Sequence, residues 1–194
     1  MRKIYPESDE INSTKTLKSI FRCFKLVDTD LTSEESRALD LLKQHVSEPA
    51  DLDSIRQACV SLWRNVFPER DVPEKIAEDW KSLGFQNHNP ATDIRSGIFV
   101  LKQLEYFASK YPIKARQLIE ESNEKYYPFA VAAFNVSFMI TRFYGLADGV
   151  DPTGEKLSAS NLQKSAFAQL LLKFRDDVVY NTVFCVAMLG LHER

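Results

Sequence analysis

The chain has 194 residues and carries 25 Lys and Arg against 27 Asp and Glu, so its formal charge is −2. This length predicts one globular domain, or one domain with a small appendage, and the 44% of apolar residues excludes wholesale disorder. The near-neutral charge argues against nucleic acid as a partner, because nucleic-acid binding needs a strongly basic face.

The first residues of the chain, its cysteines and its most apolar segment all favour a cytoplasmic protein. The first ten residues turn acidic where a signal peptide needs an apolar run. Residues 128–146 are long enough to cross a bilayer, but Arg142 would be costly there, so we expect a buried core helix and no transmembrane segment. Three widely spaced Cys favour buried thiols in a reducing compartment, and neither Cys nor His spacing indicates a metal site.

Helix-type spacing of apolar residues and helix caps recurs along the chain, so we predict an all-α fold. Asn12 opens the first predicted helix, Thr32 with Glu35 forms a capping box for the second, and Asp51 or Asp53 caps the third. Further helices are expected to begin near Pro73, Thr92 or Asp93, Pro112, Pro128, Ser158 and Asp176, with loops over 85–93 and 145–154.

These elements predict a single compact bundle of about eight or nine helices over residues 1–194. Its N-terminal helical part is 1–70, and the part 71–194 carries the informative motif. The helix after Pro128 is apolar nearly all round, so we expect it to be the buried central helix. Asn135 and Arg142 share one face of it, and we favour a buried polar pair over a binding role. The aromatic residues from Tyr126 to Tyr144 are expected in the core.

Sequence motifs for self-contained catalysis are missing. The segment 149–157 only loosely resembles a phosphate-binding loop, because Glu155 stands where that loop needs lysine. The sequence has no nucleophile elbow, no zinc-protease motif and no dinucleotide-binding fingerprint. Nothing here suggests a hydrolase that works alone.

The segment 80–95, WKSLGFQNHNPATDIR, combines a tryptophan, a helix stop, a polar loop and an arginine. We expect Trp80, Leu83 and Phe85 to anchor the loop on the core. Arg95 then has two interpretations that the residues alone leave open. It pairs with a carboxylate such as Asp93 or Glu105 and holds the loop, or it projects outward to recognise phosphate or carboxylate on a partner.

The string W-x2-LGFQ-x3-P-x-TD-x-R, followed by an apolar helix, resembles the ELMO (engulfment and cell motility) domain family. The later run from Tyr127 to Val131 and the residue Asn135 match the same pattern in place. The small single-domain branch of this family, the ELMOD proteins, is associated with GTPase activation toward Arf and Arf-like (Arl) GTPases. The resemblance therefore implies that Arg95 is a catalytic arginine finger supplied in trans.

The same resemblance implies the rest of the site. Gln86, Thr92 and Asp93 would bind the GTPase. The structural anchors of the loop would be Trp80, Gly84, Phe85 and Pro90. The chain would need no metal or cofactor of its own, because the partner GTPase brings GTP and Mg²⁺. It would act as an activator rather than as a self-contained enzyme, and it would reach membranes peripherally through the GTPase.

The alternative is a non-catalytic helical scaffold in phagocytosis, cell motility or membrane-trafficking signalling. The larger ELMO proteins work in this way with DOCK-type exchange factors and lack the arginine. Exposure of Arg95, or its pairing with internal carboxylates, would discriminate between the two.

Overall fold

Helices make up nearly all the regular structure in the part of the chain that the structure describes. The computed structural model describes residues 30–94, 97–124, 127–147, 149–150, 156–157, 159–174 and 176–191. Within these ranges the α-helices are α1 (Ser33–Val46), α2 (Leu52–Val66), α3 (Phe99–Lys110), α4 (Pro112–Glu124), α5 (Phe129–Phe143), α6 (Asn161–Lys173) and α7 (Asp176–Gly190). Two 3₁₀ helices, Glu78–Leu83 and Pro90–Thr92, lie between α2 and α3. The predicted all-α fold is confirmed.

The predicted helix starts are mostly confirmed. The Thr32 hydroxyl accepts a hydrogen bond from the Glu35 N–H at 3.2 Å, and the Thr32 N–H donates to the Glu35 carboxylate at 2.9 Å, which completes the capping box of α1. Asp51 caps α2, and Pro112 is the first residue of α4. Pro128 directly precedes α5, where its fixed φ suits a helix start.

Other boundaries differ from the prediction. The helix expected from Pro73 forms only as the 3₁₀ helix Glu78–Leu83. Asp93 caps no α-helix, because its carboxylate accepts hydrogen bonds within the loop, and α3 begins six residues later without a side-chain cap. The loop expected over 145–154 contains a strand, Gly149–Val150, that pairs antiparallel with Lys156–Leu157. The helix expected to open at Asn12 lies outside the described residues.

The central helix of the bundle is α3, which packs against α1, α2, α4, α5 and α7. Leu101, Leu104 and Phe107 on α3 are completely buried. The prediction that the helix after Pro128 is surrounded was wrong. It packs through Phe129, Ile140 and small side chains such as Ala133, which allow close approach, whereas Met139 and Phe143 face outward.

Buried polar groups tie the helices together. The Ser137 hydroxyl on α5 donates to the Gln103 side-chain oxygen on α3. The Tyr180 hydroxyl on α7 donates to the Ser137 carbonyl oxygen at 3.0 Å and lies 3.0 Å from the Thr141 hydroxyl. Burial raises the pKa of Tyr180 to about 12, so this phenol stays protonated and fixes α7 against α5.

Two of the three thiols lie among the described residues. Cys59 and Cys185 are buried and free, as expected, and burial raises the pKa of each to about 12. Cys23 lies outside the described residues. Across the described residues, no helix combines the length and apolar character needed to span a membrane.

Candidate functional site

The floor of the loop over 85–93 is a row of aromatic rings. Trp80 is completely buried, and its indole N–H donates to the Glu74 carbonyl oxygen at 2.8 Å. Its ring meets the edge of Trp63 on α2 at 5.5 Å and that of Phe85 at 6.4 Å between centroids. Phe85 in turn lies 6.1 Å from Phe134 on α5. The loop is thereby fixed to both α2 and α5 by contacts that aromatic pairs favour.

Gly84 ends the first 3₁₀ helix and brings the loop against the start of α5. Its φ of +79° is a left-handed conformation that residues with a side chain rarely adopt. A Cβ at this position would lie 2.7 Å from the backbone nitrogen of Ala130 and closer still to that of Phe129. Glycine is therefore required here both for the turn and for the close approach.

Asp93 closes the loop on itself. Its carboxylate accepts hydrogen bonds from the Gln86 N–H at 2.6 Å and from the Asn87 side-chain amide at 2.5 Å. Asn89 caps the second 3₁₀ helix by accepting from the Ala91 N–H at 3.1 Å. These bonds give the polar segment a defined shape even though it contains no α-helix.

Acidic and basic side chains flank the outer edge of the loop. Glu78 contacts Lys81 at 2.9 Å and also His88, whose backbone oxygen accepts from the Ala77 N–H at 3.0 Å. The hydrogen bond from Lys81, with the charge of His88, lowers the pKa of the Glu78 carboxyl. These groups are exposed, so they contribute to the surface rather than to the core.

A cavity of about 340 Å³ opens between the loop and α5. It is lined by Gln86, Asp93, Ile94, Gly97, Val100, Val131, Phe134, Asn135 and Phe138. Among the described residues that form this lining, Asp93 is the one with an ionisable side chain. Arg95 and Ser96 lie outside the described residues, and the residues that flank them in the chain, Ile94 and Gly97, both line the cavity.

The structure brings only some of the predicted site residues together. Gln86 and Asp93 line the cavity side by side, whereas Thr92 is exposed elsewhere and its hydroxyl donates to the Asn89 carbonyl oxygen at 2.8 Å. Pro90 is buried and lines a different cavity, together with Ile55 on α2. Their roles toward a partner stay predictions.

The other wall of the cavity was not foreseen. It comes from α5, where Phe134, Asn135 and Phe138 face the loop. The buried polar pair expected of Asn135 and Arg142 was wrong, because Asn135 is exposed and the Arg142 guanidinium lies over the Phe138 ring. No sequence spacing links residues about forty positions apart, so only the fold shows this wall.

The cap at Asn89 was also missed, although the Asn-Pro pair at this position is a recognised signal for a turn.

A wider groove of about 850 Å³ lies between α1, α2, α3 and α7. Its ionisable residues are His45, Glu48, Lys102, Glu105 and Tyr106 with Tyr180. Glu105, which was considered as a partner of Arg95, lines this groove and not the smaller cavity. No group of three or more metal-binding side chains occurs in the described part of the chain.

Comparisons with known proteins agree with the motif. The model of the ELMO/CED-12 family matches residues 40–194. ELMO domain-containing protein 2 of Homo sapiens is 29% identical over 122 residues, which are 60% of this chain and 41% of that protein. ELMO domain-containing protein B of Dictyostelium discoideum is 36% identical over 81 residues, which are 41% of this chain and 28% of that protein.

A third relative, ELMO domain-containing protein A of Dictyostelium discoideum, is 29% identical over 154 residues, covering 70% of this chain and 15% of that protein. The matched parts are thus less than half of each of these relatives. No solved structure matches the chain. Since the family model covers most of its length, the chain belongs to the ELMO/CED-12 family.

Proposed function

We propose that this protein is a GTPase-activating protein for small GTPases of the Arf and Arl families, and that it supplies Arg95 to the GTPase active site. The observation that carries the proposal is the loop of the family motif, which is clamped by Asp93 and seated on Trp80 and Phe85 beside an open cavity. Ile94 and Gly97, which flank Arg95 and Ser96 in the chain, line that cavity.

The proposed chemistry needs only positioning and charge from this chain. A GTPase already binds its nucleotide and Mg²⁺, and charge on the transferring phosphoryl group redistributes in the transition state. The planar guanidinium of Arg95 can donate two parallel hydrogen bonds to phosphoryl oxygens. An arginine supplied in trans is worth about 10³–10⁵ in rate, or ~4–7 kcal/mol.

The loop residues would divide into two roles. Gln86 is exposed at the cavity mouth and is free to contact the switch regions of the GTPase. The Asp93 carboxylate already accepts hydrogen bonds from the loop, so it would act as a positioning residue for Arg95. Preorganisation of this kind lowers the entropic cost of placing the arginine.

The test is GTP hydrolysis by a panel of Arf and Arl GTPases with and without the protein. We expect at least one member to be accelerated by about 10³-fold or more. Binding of a GTP-loaded GTPase without acceleration would instead identify a non-catalytic scaffold, in line with the alternative drawn from the family. Acceleration of no member and binding of none would overturn the proposal.

A further inference from the structure

The outward side of α5 is apolar, which is unusual for a helix face in contact with solvent. Met139 is 67% exposed and Phe143 is 55% exposed, and Phe138 beside them is also exposed. Arg142 lies on the same face and is the one ionisable residue in the whole helix. We call Phe138, Met139, Arg142 and Phe143 the α5 stripe. A solvent-facing helix surface ordinarily carries several charged residues, so the stripe is suited to a partner.

The α5 stripe is continuous with the candidate functional site. Phe138 belongs both to the stripe and to the cavity that Gln86 and Asp93 line. Asn135, one turn earlier, is exposed at the same cavity. A protein that reaches the cavity next to the loop therefore meets the stripe without a gap.

Arg142 adds a specific polar requirement to this surface. Its guanidinium carbon lies over the Phe138 ring, 4.0 Å from the ring centroid, where the cation is attracted to the ring face. Its Nε is buried and has no hydrogen-bond partner, and no carboxylate in the described part of the chain forms an ion pair with it. The residue as a whole is half-buried, which leaves part of its side chain open to a carboxylate of another molecule.

We propose that the α5 stripe is the docking surface for the small GTPase, and that it binds apolar side chains of the GTPase next to one of its carboxylates. This inference rests on the proposed function, because the partner is the same small GTPase. The α5 stripe would bind the GTPase, and Arg95 would accelerate its GTP hydrolysis. The apolar residues give the buried centre of the contact, and Arg142 sets its register through the carboxylate.

The variants that test the proposal are Met139→Glu and Arg142→Gln, with Ile113→Glu as the matched control. Ile113 lies on α4 and is 75% exposed, so the control adds the same charge at an equally accessible apolar position. Glu at position 139 would place a carboxylate in the contact and pair with Arg142 along the helix. We expect each test variant to weaken binding by about tenfold or more, as loss of an interface centre does.

Binding is measured for the full chain against an Arf-family GTPase loaded with a non-hydrolysable GTP analogue, and hydrolysis is measured in parallel. We expect a raised KM in the test variants, a saturating rate within about threefold of wild type, and no change in Ile113→Glu. Wild-type affinity in Met139→Glu or in Arg142→Gln overturns the docking surface while the proposed function stands. Weakened binding with no acceleration even by wild type supports the docking surface and overturns the activating function.

Thermal unfolding and sedimentation of the same proteins exclude two other occupants of the stripe. If Met139→Glu lowers the melting temperature by several degrees and Ile113→Glu does not, another part of this chain covers the stripe and the proposal is wrong. If wild type is a dimer that Met139→Glu separates, a second copy is the occupant, and the proposal is equally wrong. Failure of wild type to bind any GTPase overturns both proposals together.

Discussion

At the scale of single residues, the shape of the loop depends on one glycine and one aspartate. Gly84 allows the chain to turn where it lies against α5. The Asp93 carboxylate accepts hydrogen bonds from the Gln86 N–H and from the side-chain amide of Asn87. The sequence predicted the burial of Trp80 and Phe85, because large aromatics next to a polar loop are most often its anchors. It could not predict that the Asp93 carboxylate serves the loop instead of a helix N-terminus, because both uses fit the same local sequence.

Replacement of Gly84 by Ala should destabilise the protein. A left-handed conformation costs a non-glycine residue about 1–2 kcal/mol, and the added Cβ would also collide with the backbone of α5. The total loss should exceed about 2 kcal/mol, which lowers the melting temperature of a domain of this size by several degrees. Differential scanning calorimetry measures it.

Gly190→Ala is the control, because nothing lies within 4 Å of a Cβ at Gly190 and alanine is favoured in a helix. Equal melting temperatures for wild type, Gly84→Ala and Gly190→Ala would show that the loop moves away from α5 at no cost.

At the scale of elements, most helix starts were predictable, whereas the inward and outward faces of α5 were not. Caps depend on residues three or four positions apart, so Thr32 with Glu35 and Asp51 could be identified in the sequence. The outward side of α5 depends on which helices happen to pack against it. Its composition is apolar on every side, and only the positions of α3 and α7 decide that Ala133 and Ser137 face inward.

The first 3₁₀ helix should depend on its tryptophan. Trp80→Ala removes a completely buried side chain and is expected to cost about 3–5 kcal/mol in the free energy of unfolding. Trp80→Phe keeps an aromatic ring but leaves the Glu74 carbonyl oxygen without its donor, so it should cost less, about 1–3 kcal/mol. Urea unfolding gives both values.

His88→Ala, which truncates an exposed side chain of the same segment, should lie within about 0.5 kcal/mol of wild type. An unfolding curve of Trp80→Ala that overlays that of wild type would contradict the role of Trp80 as an anchor.

At the scale of the whole molecule, Glu35 links the beginning of the described chain to α6. Burial by itself raises the pKa of this carboxyl, but hydrogen bonds from the Thr32 N–H, the Ser165 hydroxyl and the Gln169 amide outweigh it and lower the pKa below 4.5. A capping residue of α1 is thereby also a tertiary contact between distant helices. The sequence predicted the cap but not the contact, since Ser165 lies 130 positions away.

This carboxyl predicts a pH dependence of stability. The pKa of Glu35 is lower in the folded chain than in the unfolded chain, so its ionised carboxylate stabilises the fold. This contribution to the free energy of unfolding is complete at pH values above the usual carboxyl range. It is lost as the pH falls through that range. Glu35→Gln should be less stable than wild type at pH 7 and should lose less stability between pH 5 and pH 3.

Glu34→Gln, an exposed neighbour in the same helical turn, is the control and should keep the slope of wild type. Chemical denaturation across this pH range measures the slopes, and equal slopes for wild type and Glu35→Gln would contradict the assignment.

Single-turnover GTP hydrolysis by a responsive Arf-family GTPase tests whether Arg95 is the catalytic arginine that we propose. Lys at position 95 keeps the charge but loses the planar pair of donors, so Arg95→Lys should leave the melting temperature unchanged and lower the rate by about 10²-fold or more. Binding to the GTP-loaded partner should weaken much less than the rate falls. Arg64→Lys, on the exposed side of α2, should match wild type in both. Full activation by Arg95→Lys would contradict the claim, and unfolding of Arg95→Lys would show instead that the arginine holds the loop through internal carboxylates.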